Sequence, residues 1–140
     1  MSIDTNNLHP NYPIVSGQYQ LTSTWSVSLP FKFNRRIEEG SLILWRPSLT
    51  LYFNVWNNNH NESIDTRLAQ RKQDISTEAF ELHEQSNISN HRLSYQLIED
   101  GTHALYGFVF AKESYIQVAT YFDNASDINL ARSIFASIDE

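Results

Sequence analysis

The chain has 140 residues, 41% of them hydrophobic and 13% aromatic, which is material for one packed domain burying roughly two thirds of its unfolded surface. Its net charge is −6, and its only adjacent basic pairs are Arg35-Arg36 and Arg71-Lys72. Binding to nucleic acid or an anionic membrane needs clustered Lys and Arg and is not expected, and the absence of cysteine excludes disulfides, thiol catalysis and thiolate zinc sites.

Residues 1–16 are polar, carry Pro10 and Pro13, and read as a flexible N-terminal arm, with 17–140 as a single α+β domain. The first residues have neither a basic region nor an apolar run, so no secretory leader is expected. No stretch approaches the ~18 apolar residues of a membrane span, and a cytoplasmic protein is expected.

From Gly17 to Leu29 the pattern is extended. Tyr19, Leu21, Ser23 and Trp25 share one side, Val27 and Leu29 continue it, and Pro30, with no N–H for a ladder, is expected to close the strand. Phe31 and Phe33 lead to Arg35-Arg36, and Glu38-Glu39-Gly40 turns the chain. The stretch from Gly40 to Trp56 is the strongest signal. Leu49, Leu51, Phe53 and Val55 alternate with Thr50, Tyr52, Asn54 and Trp56, the period of a half-buried strand. Two strands, 41–45 and 49–56, are predicted here, joined by a tight turn at Arg46-Pro47-Ser48.

A polar loop over 57–61 precedes a predicted helix near 62–74. Asn61 or Ser63 can cap it, Glu62 and Asp65 suit the positive end of its dipole, and Ile64, Leu68 and Ile75 trace a narrow apolar stripe. Phe80 and Leu82 begin a short segment that turns polar by Glu84. Three strands follow. The first holds Leu93, Tyr95 and Leu97, the turn Asp100-Gly101 accepts positive φ, and 104–111 and 115–122 run up and back. A second helix, near 127–138 and capped by Ser126, buries Ile128, Ala131, Ile134, Phe135 and Ile138. The predicted fold is therefore α+β: an antiparallel sheet of about six strands flanked by two helices, in the order β-β-β-α-β-β-β-α.

His60, His83, His91 and His103 show no metal-ligand spacing; His91 and His103 flank the 93–110 hairpin, but two imidazoles without a third ligand make a poor site. No metal and no cofactor is expected. The acidic pairs Glu38-Glu39 and Glu99-Asp100 each adjoin glycine, as turns require. There is no Gly-x-Ser-x-Gly elbow and no glycine loop for phosphate, so the chain is read as not an enzyme. The enzymatic alternative is a small pocket enzyme of isomerase type, with Asp123 or Glu99 as its acid–base group. Trp45, Tyr52 and Trp56 are the candidate binding residues, lying with Thr50 and Asn54 on the face opposite Leu51 and Phe53. Such a face is either a protein-binding surface or cross-strand aromatic packing in a covered sheet, and the sequence leaves both open.

With Trp25-Ser26-Val27-Ser28-Leu29-Pro30 early, and the strand Ile116 to Phe122 followed by the helix Ser126 to Ile138 late, the layout resembles the PsbP-like and DcrB-like superfamily. The resemblance spans most of 17–138 and carries no catalytic residues. It implies a non-catalytic protein-binding module, of the kind that includes bacterial cytoplasmic chaperones or adaptors for type VI secretion effectors. An immunity protein that neutralises a toxin is the alternative, since an acidic chain suits a basic toxin. The expected partner is thus a protein, a secreted effector or a toxin, with the oligomeric state open and a homodimer among the options.

Overall fold

The computed structural model describes residues 8–140. Eight strands form one antiparallel sheet: β1 (Ile14–Gln20), β2 (Ser26–Glu38), β3 (Ser41–Arg46), β4 (Leu49–Asn57), β5 (Phe80–Ser86), β6 (His91–Glu99), β7 (Thr102–Phe110) and β8 (Ser114–Phe122). Helix α1 (Ile64–Gln73) follows β4, and α2 (Ile128–Ala136) follows β8 through a 3-10 turn at Ala125–Asp127. The strands lie in the order β1-β2-β3-β4-β8-β7-β6-β5. Two four-stranded meanders thus meet along β4 and β8, each followed in the chain by one helix. Among the described residues no helix is long and apolar enough to cross a membrane.

Among the described residues, the α+β class with one antiparallel sheet and two helices is as the sequence predicts, but the sheet has eight strands and not about six. One extra strand comes from splitting the stretch expected as a single strand over 17–29. Leu21 and Thr22 both donate their N–H to the Trp25 carbonyl, at 2.8 and 3.1 Å, and reverse the chain between β1 and β2. Pro30 does not end a strand. The register passes from Gly17↔Leu29 to Val15↔Phe33, so 30–32 bulge opposite Ser16, and β3 pairs with β2 only from Asn34 onward. A missing N–H at Pro30 therefore breaks no ladder bond. The other extra strand is β5, an edge strand whose every residue is exposed, so it carries no alternation to read. The domain also starts earlier than residue 17. Of the expected arm, 1–7 lie outside the described residues, Leu8 is buried, and β1 begins at Ile14.

Residues directly opposite in an antiparallel ladder share a face, so the β4–β8 register sorts the whole sheet. On one face, Leu51, Phe53, Ile116 and Val118 join Trp25, Phe33 and Leu44 beneath Ile134 and Phe135 of α2 and Ile138 just after it. On the other, Leu68 of α1 joins Leu93, Tyr95, Phe108, Phe110 and Tyr115. Trp25 is fully buried, and its indole Nε1–H donates to the buried Ser114 Oγ at 2.8 Å, tying the first meander to the start of β8.

Ser63 caps α1 by accepting from the Thr66 N–H at 3.1 Å, with Asp65 in the first turn and Arg71 and Lys72 in the last. Ser126 does not cap α2; it lies within the 3-10 turn, and Asp127 at the N-cap makes no side-chain cap bond. The other end of α2 is held by Arg92, whose guanidinium donates to the carbonyls of Phe135 and Ile138. Its packing depends on Gly107 of β7, where an added Cβ would lie 2.5 Å from the Phe135 ring. Gly107→Ala is expected to destabilise the chain by about 1–3 kcal/mol in denaturant titration, the usual cost of overpacking. A change under about 0.5 kcal/mol would mean that α2 does not seat on β7 in this way.

Candidate protein-binding face

Trp45, Tyr52 and Trp56 lie on one face of the sheet, because Trp45 stands opposite Thr50, which is in phase with Tyr52 and with Trp56 four residues further on. Their surroundings differ. Trp45 is covered: the Tyr12 ring meets it edge-on at 5.0 Å, and the Arg36 guanidinium lies 4.5 Å from its centroid. Tyr12 belongs to a segment, residues 8–13, held by the fully buried Asn34 of β2. The His9 N–H donates to Asn34 Oδ1 at 2.6 Å, and Asn34 Nδ2 donates to the carbonyls of His9 and Tyr12. One buried amide thus satisfies three backbone groups of this turn-containing segment.

Trp56 is 39% exposed and stacks on Tyr115, with centroids 5.0 Å apart. Tyr115 stacks in turn on Phe110 and lies beneath the guanidinium of Arg67, 4.3 Å from its centroid. Arg67 is buried on α1 and donates from Nη2 to the Asn57 carbonyl at 3.0 Å, so it locks the end of β4 to the helix.

Tyr52 opens a second aromatic row. Tyr52 and Tyr106 both stand opposite Ala119, whose single methyl leaves room for Tyr121 to lie between them. Tyr121 meets Tyr52 edge-on at 5.7 Å and Tyr106 at 6.2 Å, and Tyr106 stacks on Tyr95 at 5.5 Å. The hydroxyls form a chain. Tyr106 and Tyr121 share a hydrogen bond of 2.9 Å, and Tyr106 donates to a carboxylate oxygen of Glu99. Burial, and then the bonds to Glu99 and Tyr121, push the Tyr106 hydroxyl far above the ordinary phenol range. Burial pushes Tyr95 up as well, reinforced by the charges of Asp74 and Glu99.

Neither buried apolar cluster includes Trp45, Tyr52 or Trp56. Between the two aromatic rows Asn54 stands opposite Gln117, and Ser41 Oγ donates to Asn54 Oδ1 at 2.8 Å. The central strip of this face is therefore aromatic and amide in character, half-buried, and free of either helix.

The other sequence candidates do not assemble into a site. His91 and His103 sit at opposite ends of the β6–β7 ladder, opposite Phe110 and Ile98, and do not face each other. His91 meets Glu84, which Lys72 also holds at 2.8 Å, and His60 and His83 are exposed. Among the described residues no three His, Asp or Glu side chains are grouped to hold a metal ion. Asp123 is exposed beyond β8, and its N–H donates to the Ser48 carbonyl.

No family model matches the chain, and no curated protein matches it. The face is defined by geometry.

Sequence reasoning missed Tyr95, Tyr106, Tyr121 and Asn34. The tyrosines had a signal: Tyr115 and Tyr121 alternate with Ile116, Val118 and Phe122, so the face opposite the core was readable as aromatic. Asn34 had none, since one Asn inside a strand says nothing about what lies above it. A raised phenol pKa means that the protonated hydroxyl favours the native state. That contribution is whole below about pH 10, where an unfolded tyrosine is still protonated, and is lost as pH rises above it. Thermal unfolding from pH 8 to 11 is thus expected to show stability falling above about pH 10, and falling less steeply in Tyr106→Phe. Parallel curves for the two proteins would remove this hydroxyl from the account.

Proposed function

We propose that this chain binds a protein partner through the aromatic face over β4 and β8 and performs no catalytic step. One observation carries the reading: Trp56 is 39% exposed beside half-buried Tyr52 and Tyr121, on a sheet whose other face is filled by α2. Tyr and Trp bury large area with few rotatable bonds and dominate interface energies, and a mixture of aromatic and amide groups is what the centre of such an interface carries.

Within that class the proposed role is a cytoplasmic chaperone or adaptor for a secreted effector. The resemblance to PsbP-like and DcrB-like proteins, carried by Trp25 to Pro30 and by the closing strand and helix, supports it. The immunity reading draws on a different observation, the net charge of −6, which favours a basic toxin. The partner captured from native cells on the tagged full chain separates the two: an effector kept soluble in one case, a toxin silenced in the other.

Trp56→Ala is expected to weaken the captured complex by at least about 2 kcal/mol, roughly thirtyfold, while the Tm stays within a few degrees. A complex of wild-type affinity would take the aromatic face out of the interface. A large fall in Tm would instead make Trp56 part of the fold.

A further inference from the structure

Three groups of aromatic rings line the face just described, and two of them already carry a cation from the chain itself. Arg36 lies over Trp45 and Arg67 over Tyr115. The third group, Tyr52, Tyr121 and Tyr106, has no guanidinium or ammonium above it among the described residues, and it ends on a carboxylate instead. Glu99 accepts from the Tyr106 hydroxyl and makes no ion pair among the described residues. Asp74, whose charge reaches Tyr95 as that of Glu99 does, is engaged by Arg71.

An aromatic wall with a carboxylate at its end attracts a cation twice over: through the negative faces of the rings, and through a charged hydrogen bond to the oxygen that Tyr106 does not use. We propose that this tyrosine row receives an arginine or lysine side chain of the protein partner, lying along Tyr52, Tyr121 and Tyr106 with its charge against Glu99. The inference rests on the protein-binding reading of the face and names the chemistry of what docks there. Arginine suits the row better, because a planar guanidinium stacks on a ring while its edge meets a carboxylate. The net charge of −6 draws a basic partner from a distance, and the adjoining segment 8–13 already lies on the same face, held through its backbone by Asn34.

The test is selection of a random peptide library on the immobilised full chain, followed by titration of the selected peptides against Glu99→Gln and Glu99→Asp. Glu99 is exposed at the end of β6, and glutamine keeps an acceptor for Tyr106, so an unchanged Tm serves as the folding control. Selected peptides are expected to carry Arg or Lys beside an apolar residue and to bind Glu99→Gln roughly tenfold more weakly, with Glu99→Asp between. Peptides without a basic residue that still lose affinity in Trp56→Ala would overturn the cation seat while keeping the binding face. Basic peptides that bind Glu99→Gln like wild type, or a selection that enriches nothing, would overturn it outright.

Discussion

The ladder between β4 and β8, from Leu49↔Phe122 to Asn57↔Ser114, is the constraint on which the rest of the molecule depends. It is the one seam between two meanders that are otherwise formed from local hairpins. A slip of one residue there would exchange every inward side chain for an outward one. The register is held by what it buries. Phe53 stands opposite Val118 and Val55 opposite Ile116, and all four turn to the side that α2 covers. The buried bond from Trp25 to Ser114 fixes the same seam from outside the ladder, since it anchors the turn before β2 to the first residue of β8.

That seam also makes the second face what it is. Once Leu51, Phe53 and Val55 face α2, Tyr52, Asn54 and Trp56 must point away from it, and Ala119, Gln117 and Tyr115 of β8 stand beside them. Helix α1 covers the part of this face where Leu68 joins Leu93 and Phe108, and its Arg67 reaches over Tyr115 at the start of β8. Segment 8–13 covers the part nearest Asn34 and Trp45. The strip between them is left with tyrosines, amides and one exposed tryptophan. Burying the Tyr106 and Tyr121 hydroxyls against a partner costs little desolvation, because they already bond to each other and Tyr106 to Glu99. Side chains braced in this way by their neighbours also lose little freedom on binding.

What the sequence made legible follows burial. The strand from Leu49 to Trp56 was readable because it is covered on one side only, so apolar and polar residues alternate along it. Asp100-Gly101 was readable because both residues adopt positive φ, at 50° and 82°, in a two-residue hairpin turn. Gly107 has a physical reason, the approach of the Phe135 ring. Strand β5 showed only as a short segment at Phe80 and Leu82 because it lies exposed at the sheet edge, and the full run of β2 was hidden because its bulge accepts a proline that would break a regular ladder. Tertiary contacts decided the remainder. Trp45, Tyr52 and Trp56 were found on the strand pattern alone, yet that pattern does not tell Trp45, enclosed by Tyr12 and Arg36, from the exposed Trp56.

The account makes the three tryptophans report on the two faces of the sheet: Trp25 sealed beneath it, Trp45 enclosed by the chain's own segment, Trp56 open to solvent. Their three indole N–H signals in a 15N–1H correlation spectrum, followed during titration with a soluble gadolinium chelate, measure this in one experiment. The account predicts that the Trp56 signal broadens first, Trp45 follows at higher chelate, and Trp25 keeps its intensity throughout. A Trp56 signal as protected as that of Trp25 would contradict the open face, and early loss of the Trp25 signal would contradict the seam that creates it.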